Sequence, residues 1–259
     1  PMDLQFSLDD TRDQSGMRGF QRLAPNRFVP GDVPMSSRYD IKSGMPNQNH
    51  TDSSGHALTA NWRLGGDWAL KYIYSHRESD TDTAIDFDGL PNKIADVLAT
   101  YTDASDSHEL QLSSGKGVIG IYRFSGDAGG RVRNNFFNAI FGDTNGRVYT
   151  TGTAVFGDYE WELTPSFNLS TGLRWTEEEK RAVVLNRSFS NDSFTVPVAT
   201  ATDFDKTRKV DNLSPRLSLG YEMSAATKLY ATVSRGFWSG GYNIRANVAA
   251  VPASAKPSE

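Results

Sequence analysis

Four closely spaced aspartates, Asp80, Asp82, Asp86 and Asp88, run up to Gly89 and offer the hard oxygen donors that Ca²⁺ takes. The run lacks the mid-loop glycine and bidentate glutamate of an EF-hand, so its bland reading is a solvated loop. It is the first place to look for a metal, and no metal ligand is assigned. The histidines His50, His56, His76 and His108 stand singly, without an HxxxH or His/carboxylate spacing. Gly115-Lys-Gly-Val-Ile-Gly120 spells a dinucleotide fingerprint, but Ile121-Tyr-Arg-Phe124 continues it as a strand where that chemistry needs a helix N-terminus. A hairpin turn accounts for these glycines. Glu177-Glu-Glu-Lys-Arg181 reads as a charged lip at the top of a hairpin. No Gly-x-Ser-x-Gly elbow and no distinguished carboxylate pair appears. The chain is not expected to be an enzyme, and no catalytic or cofactor-binding residue is assigned.

Whatever these side chains do, strands must position them. Alternating segments fall at roughly 3–12, 55–65, 67–78, 105–114, 117–125, 148–163, 166–177, 208–222 and 227–238. The links at 65–67, 114–117, 164–165 and 224–227 are tight. The others, at approximately 14–52, 80–103, 126–146, 179–206 and 239–259, are long and rich in Asp, Asn, Ser and Gly. Short and long links alternate, as do the periplasmic turns and extracellular loops of outer-membrane barrels.

The side chains agree with that reading. Val155, Gly157, Tyr159, Trp161 and Leu163 fall on one face, and Phe156, Asp158, Glu160 and Glu162 on the other. Phe167, Leu169, Thr171, Leu173 and Trp175 oppose Asn168, Ser170, Gly172, Arg174 and Thr176. Tyr159, Trp161 and Phe167 near the turn end, with Trp175 near the loop end, are placed as lipid-facing aromatics at the two bilayer interfaces. A soluble β-sandwich also alternates with period two. A soluble or cell-surface sandwich that binds carbohydrate or acts as an adhesin is therefore the rival reading.

Composition sets wide bounds. The chain has 259 residues, of which 37% are hydrophobic and 22% charged, and a formal net charge of −4. Without cysteine it has neither a disulfide framework nor a thiolate metal site. Its mild acidity leaves no nucleic-acid footprint. Mean hydropathy is −0.51 and no apolar run approaches the roughly 18–20 residues of a transmembrane helix. A β-barrel escapes that test, because lipid-facing and lumen-facing residues alternate. Nothing at the start resembles a signal peptide, since Pro1-Met-Asp-Leu-Gln-Phe-Ser-Leu already alternates.

The wording of several strands is more specific. Leu213-Ser-Pro-Arg-Leu-Ser-Leu-Gly-Tyr221, followed by Leu229-Tyr-Ala-Thr-Val-Ser-Arg-Gly-Phe-Trp-Ser-Gly-Gly-Tyr-Asn243, closely resembles the barrel of TonB-dependent outer-membrane receptors. So do the strand–turn–strand at 56–77, Ser107-His-Glu-Leu-Gln-Leu-Ser113 and Ser170-Thr-Gly-Leu-Arg-Trp-Thr-Glu-Glu-Glu-Lys180. The likeness covers most of 50–243 in the expected order.

The resemblance implies an all-β, antiparallel up-and-down transmembrane barrel, of which about nine strands out of ~22 are present, as an open or partial barrel. The family's plug, TonB box and aromatic-ended final strand are not found in the chain, so it is expected to be the middle of a receptor. The resemblance further implies a Gram-negative outer membrane, lipid contact, and a TonB partner acting through the plug and TonB box. It also implies energised uptake of a small scarce solute: a ferric siderophore first, otherwise haem, cobalamin or a glycan. Tyr39, Phe87, Phe136, Phe137 and Trp238 are the ligand-facing loop candidates, with loop self-packing as the alternative role for each.

Overall fold

The computed structural model describes residues 1–245. Nine strands follow one another: β1 Met2–Ser15, β2 Asn49–Gly65, β3 Trp68–Asp86, β4 Ala95–Ser114, β5 Gly117–Phe136, β6 Ile140–Thr164, β7 Phe167–Phe189, β8 Pro197–Ser224 and β9 Thr227–Ser234. They form one sheet in chain order, and every neighbouring pair is antiparallel. No second sheet packs on it among the described residues, so the sandwich reading is overturned. The sheet is open, with β1 and β9 at its edges.

Period-two alternation across this register sorts the residues into two faces. One row of paired residues reads Leu4, Ala60, Tyr72, Leu110, Ile121, Val155, Trp175 and Leu213. A row on the reverse face reads Asp3, Asn61, Lys71, Gln111, Gly120, Phe156, Arg174 and Ser214. The first face is an unbroken apolar band; the second is polar.

The strands outrun the segments legible in sequence. β8 has 28 residues, roughly 90 Å if fully extended, where a bilayer needs only about ten. The links expected at 80–103, 126–146 and 179–206 accordingly narrow to 87–94, 137–139 and 190–196, and the first becomes 16–48. Of the link expected at 239–259, residues 246–259 lie outside the described residues. The extra strand length mixes polar residues with buried apolar ones such as Ala84, Val97, Val184 and Phe204, and apart from register shifts near the end of β7 it stays laddered, which pairs most of its backbone groups.

The four short turns are two residues each, Gly66–Asp67, Gly115–Lys116, Pro165–Ser166 and Ala225–Ala226. In three of them the incoming strand bulges just before the turn, between Arg63 and Gly65, Glu162 and Thr164, and Glu222 and Ser224. The extra residues are Leu64, Leu163 and Met223. Pro215 sits inside β8, paired with Leu173 of β7. On the other side regular β9 pairing ends at Arg216: Arg235 N still donates to the Pro215 carbonyl (3.0 Å), but proline has no N–H to return, and the ladder stops there.

Candidate functional site

The polar face carries a charged ladder near the short-turn end. Arg216 donates to Asp158 and to Ser170 Oγ (3.1 Å), and the Arg174 guanidinium lies over the rings of Tyr122 (5.5 Å) and Phe156 (5.6 Å). On the apolar face Tyr159 and Trp161 meet edge to face at 4.6 Å, and Phe167 stacks on Tyr221 at 4.4 Å. Trp175 lies on the same face, above them. Ring pairs of this kind give the band shape as well as area.

Above the band, the segment after β9 crosses back over the polar face. Lys180 Nζ donates to Ser239 Oγ and to the Gly240 carbonyl, both at 2.8 Å. Tyr242 and Ile244 pack on Ala182, Val184 and Phe204, the main buried cluster among the described residues. Asn186 Nδ2 donates to the Ile244 carbonyl (3.2 Å), and Arg245 donates to Tyr101 Oη (2.9 Å). Tyr101, Gly130, Gly146, Val184 and Phe204 form one register row beneath this strap. Glu177–Arg181 therefore does not form a lip. β7 continues to Phe189, and Lys180 holds the strap in mid-strand.

The long-connection end gathers most of the aromatic candidates without converging them. Phe87 packs on Phe20 (5.4 Å), and Phe137 meets Phe28 edge-on (5.5 Å). Both rings thus seat the 16–48 connection against strand ends. Phe136 closes β5 half-buried, while Tyr39 and Trp238 are exposed. Inside the connection, Arg22 and Lys42 both donate to Asp32. Burial raises the Asp32 carboxyl, but these hydrogen bonds and charges outweigh it and hold its pKa below the usual carboxylate range.

Three of the histidines, single in sequence, come together. His56 and His76 are register partners with ring centroids 5.1 Å apart, His76 Nδ1 lies 2.9 Å from Asp106 Oδ1, and His108 Nδ1 lies 2.8 Å from Tyr72 Oη. They top the apolar face, where rings with polar tips suit a bilayer interface.

The sequence profile described as TonB dependent receptor-like, beta-barrel matches residues 3–257. The chain belongs to the TonB-dependent receptor β-barrel family. No curated protein sequence matches it. In three dimensions it is similar to the ferric yersiniabactin uptake receptor FyuA of Yersinia pestis, with a TM-score of 0.71 and 18% identity. That match covers 98% of this chain and 37% of FyuA, so the chain spans little more than a third of that receptor. At this identity the likeness establishes the fold. The family and the neighbour are transport receptors rather than enzymes.

In this receptor barrel the acidic run is not a solvated loop. Asp86 and Asp88 are buried, and they are joined by Asp96, which the spacing along the chain does not connect to them. One carboxylate oxygen from each lies within 4.8 Å of the others. Burial first, then the charges of Asp88 and Asp86, push the Asp96 carboxyl up to about 6. Burial likewise raises Asp88, against the backbone N–H groups that it accepts. Asp80 and Asp82 stay apart, laddered against Thr102 and Thr100. Asp96 escapes sequence reasoning because its link to Asp86 runs across the β3–β4 ladder.

Proposed function

We propose that this chain is part of the wall of an outer-membrane receptor that imports a ferric siderophore by TonB-driven transport. The observation carrying the reading is the division of one sheet into an unbroken apolar band and a charged reverse face, in a chain of this family. A bilayer on one side and a lumen on the other are what that division suits. The apolar band then meets lipid through Tyr159, Trp161, Phe167 and Trp175. The two-residue turns face the periplasm and the long connections the outside, so that Tyr39, Phe87, Phe136, Phe137 and Trp238 stand on the side from which solute arrives. TonB engages the whole receptor through its plug and TonB box. The likeness to FyuA, an uptake receptor for ferric yersiniabactin, supports a siderophore over haem or cobalamin.

The test is iron uptake. A strain deleted for the whole receptor, complemented with its gene, is supplied with radiolabelled iron on a panel of siderophores, with haem and cobalamin alongside. Accumulation of one ferric siderophore that disappears when TonB is deleted is the expected result. Uptake confined to haem or cobalamin would remove the siderophore assignment, and no TonB-dependent uptake of any solute would remove the transport reading.

A further inference from the structure

The acidic cluster is not explained by transport. Asp86 ends β3, Asp88 lies two residues further on, and Asp96 stands on β4 opposite Asp86 in register. The side chains are already organised by the backbone. Asp86 Oδ1 accepts from Asp88 N (3.1 Å) and Gly89 N (2.7 Å), and its Oδ2 accepts from Gly44 N (3.1 Å). Asp88 Oδ2 accepts from Ala95 N (2.6 Å) and Ile94 N (3.2 Å). Gly89 takes φ +63°, a conformation that favours glycine and closes the connection over the cluster.

Of the oxygens these bonds leave over, two are fully buried. Asp88 Oδ1 and Asp96 Oδ1 are buried without a hydrogen-bond partner among the described residues, in side chains only 6% and 4% exposed. A third orphan comes from another strand. Asn135 of β5 pairs with Asp96 in register, is 7% exposed, and its Oδ1 is likewise buried without a partner. Asp96 and Asn135 line one cavity of about 110 Å³, which gives an ion and its waters a way in. Two cations also line it, but the Lys93 ammonium is 2.7 Å from Asp192 and the Arg133 guanidinium lies over the Phe194 ring, 5.1 Å from its centre. Three buried carboxylates, two of them with an orphaned oxygen, are costly unless a cation or protons neutralise them.

We propose that Asp86, Asp88 and Asp96, with the Asn135 side-chain oxygen, form a Ca²⁺ site that ties the β3–β4 connection to β5. The donors are hard oxygens without His or Cys, which disfavours zinc. Their irregular placement and the adjoining cavity suit the flexible six-to-eight coordination of Ca²⁺ better than the strict octahedron of Mg²⁺. The site stands whatever solute the receptor carries.

The test uses the whole receptor, purified in detergent and stripped with EDTA. CaCl₂ and MgCl₂ are titrated by calorimetry, and amide exchange is followed over residues 86–96. One Ca²⁺ should bind, with a Kd of about 10⁻⁴–10⁻³ M as in other extracellular calcium modules, and slow exchange in this segment. D88N and D96N should each weaken binding at least about tenfold, because affinity follows ligand charge. D82N, on the same acidic run but outside the cluster, should bind as the wild type does. N135D adds a charged ligand and should bind more tightly, which keeps the test decisive if D88N or D96N fails to fold. No Ca²⁺-dependent change in the wild type, or an unchanged response in D88N and D96N, would overturn the site. An equal response to Mg²⁺ would overturn the choice of cation.

Discussion

Ile244 occupies the space that a side chain at Gly146 would fill: a Cβ built on Gly146 would lie 2.8 Å from the Ile244 Cβ. The glycine is thus a socket in β6, and the isoleucine seats the strap that crosses the polar face.

Filling the socket should eject the strap. Gly146→Val is expected to destabilise residues 239–245 by about 1–3 kcal/mol, the usual cost of overpacking. The readout is faster amide exchange in that segment with the sheet unchanged. Gly152→Ala is the control, since its nearest neighbour, the Glu177 carbonyl, is an ordinary 3.8 Å away. Equal effects at the two glycines would dissolve the socket.

The two faces predict opposite tolerance to charge. Leu217 lies at mid-band, paired with Thr171 and Val233, and is half exposed on the apolar face. Leu217→Arg should cost about 2–4 kcal/mol in a bilayer. Ser218→Arg, on the polar face, should cost far less. Urea unfolding in lipid vesicles compares them, and similar losses would contradict the assignment of faces.

Acid should loosen the 16–48 connection. The Asp32 pKa lies below its ordinary value, so its ion pairs with Arg22 and Lys42 contribute fully above that ordinary value. The contribution fades as pH falls through the lower, folded value. Amide exchange across 20–42 should therefore be flat from neutral pH to about 4 and rise below it. Arg22→Ala should move the onset of loosening to higher pH. An unchanged profile in that variant would mean that Asp32 does not hold the connection.

Topology is open to labelling. An epitope inserted at Asn191, in the 190–196 connection, should be reached by antibody on intact cells. One inserted at Gly66 should need permeabilised cells. The reverse pattern would invert the proposed orientation.

Residues 1–259 expressed alone should neither transport nor remain dispersed without detergent. Among the described residues β1 and β9 each present an unpaired edge, and every β1 residue is exposed. Free N–H and C=O groups cost several kcal/mol each in hydrocarbon and template aggregation in water. Sedimentation and TonB-dependent uptake measure the two halves of this expectation.

The band was legible in the sequence because lipid-sized alternation leaves a period-two signature. Trp161, Leu169 and Trp175 share a face as that period requires. Strand ends were not legible. Asp203, Asp205 and Lys206 read as loop, yet they ladder against Leu185, Val183 and Ala182, because backbone pairing continues after apolar alternation stops. The acidic cluster and the Gly146 socket were hidden for a related reason. Each joins residues that only the sheet or the returning strap brings together, and one of the partners is a glycine that reads alone as a turn former.

The bulges beside the short turns have a consequence for depth. Leu64, Leu163 and Met223 are each the one residue without a partner opposite, and each is a large apolar side chain about half exposed. By sequence parity they extend the apolar face. A bulge lets one strand add such a side chain at the rim without lengthening its neighbour. In the bilayer placement proposed above, these three residues act as a waterline. They set how far the wall sinks toward the periplasm before its polar turns emerge, and their replacement by serine would let the whole wall ride higher.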